Sequence, residues 1–269
     1  MARISPKAVV VNPDGLADDV EVGPFSYVAG EVEVGPGTRI ANGVTVTGRT
    51  RVGAGCWLHA GCIVGCAPPG RSEDDAGPCT VADGNVIREH VIIEAGADPD
   101  GEGTRLAERN MLMVGCQVAH DASVAEECIF ANFTRLERGA RVERFVRTSG
   151  FTLIQAYATV GAYSFTTGYA SVVTDVPPYA IVQGLPSRVR CVNTENLRRC
   201  GFDAEAIRRI KGAFRMLFDG AEGPPDDERL RAVERAFDDE HVRHLLDSLR
   251  RSAASGTGRQ RQPAAGEGR

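Results

Sequence analysis

The chain has 269 residues, a formal net charge of −5 and no long basic run, which argues against a nucleic-acid partner. No stretch of about 18 apolar residues occurs and the N-terminus lacks a charged-then-apolar pattern, so no membrane span is expected and the expected location is cytoplasmic. The length accommodates one large and one small domain, and the eight cysteines lack the spacing of a disulfide framework.

From its start the chain follows a six-residue repeat. Ile4, Val10, Leu16, Val22, Val28, Val34, Ile40, Val46, Val52, Leu58 and Val64 stand six apart, and none is polar. The fourth residue after each is usually small or β-branched, as at Val20, Ser26, Thr38, Cys56 and Cys62. Gly or Ala often follows directly, as at Gly23, Ala29 and Gly35. A helix repeats at 3.6 residues and a flat strand at 2, so a period of six fits neither. It fits a chain that runs extended, turns, and does so three times per coil, with about 18 residues per coil and coils stacked about 4.8 Å apart. The aliphatic residues then point into a three-sided prism, a parallel β-helix of hexapeptide repeats. Cys56, Cys62, Cys116 and Cys128 all fall on the small interior position, which predicts reduced core thiols. Cys62 and Cys66 lack the second pair that a zinc site needs.

The register breaks after Val64, resumes at Val81, breaks after Ile93 and resumes at Leu106. Residues 66–80 and 97–105 are rich in Pro, Gly and acidic groups and read as ejected loops; such insertions often wall a binding site. From 106 to 176 the corners change character. Gln117, His120, Arg135, Arg138, Arg141, Arg144, Arg147 and Gln155 appear where Gly and Ala stood before. No break separates His120 from Arg138, so Arg138 lies one coil above His120, where a guanidinium favours the neutral imidazole. Arg141 and Arg144 read as a solvated surface with Glu137 and Glu143 as partners.

Asp175-Val176-Pro177-Pro178-Tyr179 ends the repeat, since two prolines remove ladder donors, and residues 180–190 read as a crossover. Helices follow. Asn193 or Thr194 caps a short one through Arg199, and Asp203 caps a second with Ile207, Ile210, Phe214 and Leu217 on one face, ending at Gly220. Pro224 and Pro225 open a third with Leu230, Val233 and Phe237, and a fourth carries Val242, Leu245, Leu246 and Leu249. The expected organisation is a β-helix over 1–190, an α-helical domain over 191–251, and a disordered tail over 252–269 with little to bury.

The singular chemical group is His120, followed by Asp121. Neutral imidazole is the usual general base near neutral pH. With no nucleophile beside it, direct attack by a substrate hydroxyl or amine is indicated, as in acyl transfer from an activated donor. His59, His90 and His120 fall at different places in the repeat, which argues against a metal centre.

Residues 4 to about 218 resemble the UDP-N-acetylglucosamine O-acyltransferases of lipid A biosynthesis, the LpxA type. Asn110-Met111-Leu112-Met113-Val114-Gly115-Cys116-Gln117-Val118-Ala119-His120-Asp121 is similar to the family's catalytic segment, and Phe130-Ala131-Asn132 follows at the family distance. Asp175-Val176-Pro177-Pro178-Tyr179-Ala180-Ile181-Val182-Gln183-Gly184 matches the exit from the β-helix. Val192-Asn193-Thr194-Glu195-Asn196-Leu197-Arg198-Arg199-Cys200-Gly201-Phe202 matches the start of the helical domain. The resemblance implies a left-handed β-helix, unusual against the right-handed crossover preference, and a homotrimer with sites between subunits. It implies that His120 takes the proton from the sugar 3-hydroxyl, which attacks a 3-hydroxyacyl thioester on acyl carrier protein. No cofactor or metal is implied beyond the carrier's phosphopantetheine. Asp121 orients His120 in this scheme, and the backbone N–H of Arg138 serves the oxyanion. Asn193, Glu195 and Arg199 fall on UDP-sugar positions, Gly168 falls where acyl-chain length is set, and Gln117 and Gln155 line the site. The sequence departs from the family at Gln117, Glu94, Gly139 and Gln155, where the family has histidines, and at Cys200, which replaces a second arginine. A coenzyme A donor, a different acceptor, or a chain that binds without turnover are also compatible with these departures.

Overall fold

The computed structural model describes residues 1–219, 224–255 and 257–260. The coils give short, parallel strands to three sheets, and the first and last coils reach the third sheet only through isolated bridges at Leu16 and Val176. The first sheet has eleven strands and starts at Arg3–Ile4; the second has nine, from Val9–Val10 to Ser171–Val172; the third has seven, from Val32–Val34 to Thr159–Val160. Paired residues stand 18 apart, as Glu21 with Arg39 and Gln117 with Arg135, which is the coil length that the repeat predicts. The inward aliphatic residues are buried, among them Leu58, Val64, Ile87, Ile93, Leu112, Phe130, Leu136 and Ile154. Cys56, Cys62, Cys116 and Cys128 are buried and unpaired, and burial pushes the Cys62 thiol up to about 12 and that of Cys116 to about 11.

The two breaks in the repeat are excursions. One leaves after the strand Ile63–Cys66 and returns at Cys79–Val81; the other leaves after Ile92–Glu94 and returns at Thr104–Leu106. The loops therefore span 67–78 and 95–103, slightly displaced from the expected 66–80 and 97–105. Both leave from the corner between the nine- and seven-stranded sheets, in the two coils below the one that carries His120. Corners need not be glycine. Phe133, Phe151 and Tyr169 occupy the left-handed region at φ of 59°, 57° and 59°. Their rings stack along one edge with centroids 5.1 and 5.0 Å apart, contacts that offset the strain of a side chain in that conformation.

The expected crossover at 180–190 is instead a β-hairpin. Ala180–Gly184 and Ser187–Val192 pair antiparallel and extend the eleven-stranded sheet. The chain thus leaves the prism by adding strands to an existing edge, and the boundary with the helical part falls after Val192. Four helices follow: α1 (Thr194–Arg199), α2 (Ala204–Phe218), α3 (Asp227–Ala236) and α4 (Glu240–Ala254). Each is capped by the side chain before it, namely Asn193, Asp203, Asp226 and Asp239, which satisfies the free amides of the first turn. The expected stop of α2 at Gly220 lies outside the described residues; its C-cap is Asp219. Ile207, Ile210, Phe214, Leu217, Leu230, Val233, Val242, Leu245 and Leu246 bury one common core. The expected disorder from residue 252 begins too early. α4 continues to Ala254, and the Asp175 N–H donates to the Gly258 carbonyl at 2.6 Å while the Gln260 N–H donates to Asp175 Oδ2 at 2.8 Å. Composition does not reveal these bonds because the tail contributes only backbone groups to them. Residues 261–269 of that tail lie outside the described residues.

Candidate active site

His120 stands at the corner between the nine- and seven-stranded sheets. Adjacent strand residues face opposite ways, but Asp121 has a φ of 60°, and this left-handed step brings its carboxylate back to the imidazole. Asp121 Oδ2 lies 2.8 Å from His120 Nδ1. Burial alone would raise the Asp121 carboxyl, but the hydrogen bonds from His120 and from the Ala97 N–H outweigh it and hold the group below its ordinary value. An ionised carboxylate only accepts hydrogen bonds, so in the neutral ring the proton sits on Nδ1 and the lone pair on Nε2. Nε2 has no hydrogen-bond partner among the described residues, and the His120 side chain is 22% exposed. The arrangement is a carboxylate-oriented imidazole with one ring nitrogen facing outward.

The corner is held from several sides. The His120 N–H donates to Glu94 Oε2 at 3.0 Å, the Asp121 N–H to Thr104 Oγ1 at 2.9 Å, and the Gly139 N–H to the His120 carbonyl at 3.0 Å. Thr104 and Ala97 were not legible as site residues; the one signal was their place at or beside the second break in the repeat.

Register places Arg138 one coil above His120, but its guanidinium is carried onto the Tyr157 ring, 5.6 Å from the centroid, and makes no hydrogen bond or ion pair with the imidazole. The guanidinium thus makes a cation–π contact one coil further up. Gln117 lies outward on the nine-stranded sheet beside Arg135, and Gln155 sits at the His120 corner two coils above Ala119. Gly168 belongs to the opposite edge of that sheet. A Cβ there would meet only Ser149 Oγ at 3.5 Å and the Gly150 carbonyl oxygen at 3.7 Å, so internal packing does not require glycine.

The α1 residues divide. Asn193 is buried at 5% exposure; its Nδ2 donates to the Tyr163 carbonyl at 2.8 Å and its Oδ1 caps α1. Its side-chain hydrogen bonds are made inside the fold. Glu195 and Arg199 are exposed and paired at 3.1 Å. Asn196 ties α1 to the carbonyls of Phe145 and Tyr163, at the corner between the seven- and eleven-stranded sheets. Within one chain Glu195 and Arg199 therefore stand at a different edge of the prism from His120.

The expected arginine partners also differ. Glu137 pairs with Arg135 at 2.7 Å, and Arg144 lies over the Tyr163 ring at 5.8 Å. Glu143 accepts from the Ala162 N–H at 2.9 Å and faces His244 of α4 at 3.6 Å, in a groove of about 490 Å³ that Arg141, Arg144, Tyr163, Tyr179 and His241 also line. His59 stacks on Trp57 with centroids 4.3 Å apart and lies 3.3 Å from Glu89, away from the His120 corner.

Stacked hexapeptide coils bearing an outward, carboxylate-oriented imidazole define the class as a hexapeptide-repeat transferase. Residues 16–48 match the family model described as bacterial transferase hexapeptide (six repeats), and residues 175–258 match domain 2 of the UDP-N-acetylglucosamine O-acyltransferase model. An acyl-[acyl-carrier-protein]–UDP-N-acetylglucosamine O-acyltransferase of Thiobacillus denitrificans is 38% identical over 256 residues, covering 94% of this chain and 98% of the relative. One of the same name from Halorhodospira halophila is 39% identical over 219 residues, covering 81% of this chain and 85% of the relative. The crystal structure of LpxA, a UDP-N-acetylglucosamine acyltransferase from Bacteroides fragilis, superposes with a TM-score of 0.81 at 27% identity, covering 93% of this chain and 95% of that one. The chain belongs to the UDP-N-acetylglucosamine O-acyltransferase family and is an acyltransferase.

Proposed function

We propose that the protein transfers a 3-hydroxyacyl chain from acyl carrier protein to the 3-hydroxyl of UDP-N-acetylglucosamine, the first step of lipid A biosynthesis, as a cytoplasmic homotrimer without a resident cofactor. The observation that carries the reading is the 2.8 Å contact of Asp121 Oδ2 with His120 Nδ1, which leaves Nε2 as an oriented base. Nε2 takes the sugar hydroxyl proton as the oxygen attacks the thioester carbonyl. The Arg138 N–H is free to face the resulting oxyanion, since it donates to no protein acceptor among the described residues. Collapse breaks the C–S bond, and the imidazolium returns the proton to the departing phosphopantetheine sulfur. Ester and free thiol result. The separation of Glu195 and Arg199 from His120 supports a site shared between chains, because one edge of the prism has to meet another.

Turnover of an acyl-carrier-protein pool of mixed chain length with several UDP-sugars, read by mass spectrometry, tests the donor and acceptor together. His120→Ala is expected to lower kcat by about 10²–10⁴-fold. Undiminished turnover of every UDP-sugar by that variant ends the assignment of the base.

A further inference from the structure

The second excursion, residues 95–103, has no partner in the repeat, yet three of its anchor points converge on one corner. Its exit residue Glu94 accepts the His120 N–H at 3.0 Å. Its first turn supplies the Ala97 N–H to Asp121 Oδ1 at 3.2 Å. Its return residue Thr104, buried at 0% exposure, accepts the Asp121 N–H at 2.9 Å. The excursion is thus closed around the His120–Asp121 pair from below, while Gly139 holds the His120 carbonyl from above.

Acidic side chains cap corner amides elsewhere in this fold. Asp19 accepts from Gly37, Asp83 from Ala54 and Glu143 from Ala162. The cap is therefore a structural device in general. At Glu94 it acts on the residue whose imidazole is the base, and no second cap is at hand, since the only protein acceptor of the His120 N–H among the described residues is Glu94. The Glu94 carboxylate keeps its other oxygen without a protein partner among the described residues. Losing the cap frees the main chain on one side of a left-handed step that itself sets the Nδ1–Oδ2 contact. Displacement of a reacting group by about 1 Å is enough to lower a rate by about 10²-fold.

We infer that Glu94 is a positioning residue for acyl transfer: with Thr104 it fixes the His120–Asp121 corner from the stems of the 95–103 excursion, so that the excursion serves as a bracket for the base. The inference rests on His120 being that base.

The test compares kcat and KM for UDP-N-acetylglucosamine in full-length Glu94→Ala, Glu94→Gln, Thr104→Val and Thr104→Ser, with His120→Ala alongside. Glu94→Ala is expected to lower kcat by about 10- to 100-fold with KM within about twofold. Glu94→Gln keeps a carbonyl acceptor and is expected to recover most of that loss. Thr104→Val keeps the shape and removes the acceptor, so it is expected to lower kcat in the same way, and Thr104→Ser to restore it. A kcat for Glu94→Ala within twofold of the wild type overturns the inference, as does an equal loss in Glu94→Gln, which would mean that the charge rather than the acceptor matters. Should neither Glu94 variant fold, an unchanged kcat in Thr104→Val overturns it. The two readings fail separately. An active His120→Ala sinks the base assignment, whereas an inactive His120→Ala beside a normal Glu94→Ala sinks the bracket alone.

Discussion

At the scale of single residues, the proposed chemistry rests on which nitrogen of His120 holds its proton. The Asp121 carboxylate stays ionised below its ordinary value and so accepts from Nδ1–H throughout the neutral range. Asp121→Asn is sterically mild, yet the amide can donate to Nδ1 and stabilise the tautomer whose lone pair is buried. We expect kcat to fall by about 10³–10⁴-fold with little change in folding, a loss as large as in Asp121→Ala. Steady-state kinetics beside a thermal melt would check this, and a variant retaining a tenth of wild-type kcat would contradict the orienting role. His120 was legible because it interrupts a repeat of bland corners. The role of Asp121 was not legible from alternation alone, because a φ of 60° reverses the facing rule for strand neighbours. The direction of the Arg138 side chain was also hidden, since register fixes where a Cα lies and not which neighbouring ring attracts a guanidinium.

At the scale of elements, the join between α4 and the β-helix carries a titratable contact. Glu143 accepts from the Ala162 N–H on the coil and faces His244 on α4, with Arg141, Arg144, His241 and Tyr179 around the same groove. Burial alone would raise the Glu143 carboxyl, but its bonds to His244 and Ala162 outweigh this and lower it from 4.5. A depressed folded value contributes stability above the unfolded value that is lost as pH falls through the folded one. The melting temperature is therefore expected to fall as the pH drops below about 4.5, and Glu143→Gln to flatten that slope while lowering the plateau at neutral pH. Identical slopes in the two proteins would show that the contact does not bear on docking. The coils were legible because a period of six is dictated by burial. The hairpin over Ala180–Gly184 and Ser187–Val192 and the aromatic edge of Phe133, Phe151 and Tyr169 were not, because sheet extension and ring stacking depend on neighbours far apart in sequence.

At the scale of the whole molecule, the residues that the family resemblance assigns to one substrate lie at separate edges of the prism. His120 stands where the nine- and seven-stranded sheets meet, and α1 with Glu195 and Arg199 is fastened where the seven- and eleven-stranded sheets meet. The sequence could list these residues but not separate them, since only the three-dimensional coil shows which corner each occupies. A rigid stack of coils cannot fold one edge onto another, so a shared substrate requires two copies related by a rotation. Complementation between chains tests this directly. His120→Ala and Arg199→Ala are each expected to be strongly impaired alone at low UDP-sugar concentration. After co-refolding or co-expression in equal amounts, random assembly places an intact His120 from one chain beside an intact Arg199 from its neighbour at about a quarter of the sites, so about a quarter of wild-type activity should return. If both residues served the same site within one chain, every site would carry one defect and mixing would restore nothing. Recovery that scales with the product of the two chain fractions, peaking at equal input, is the signature of a site built between copies.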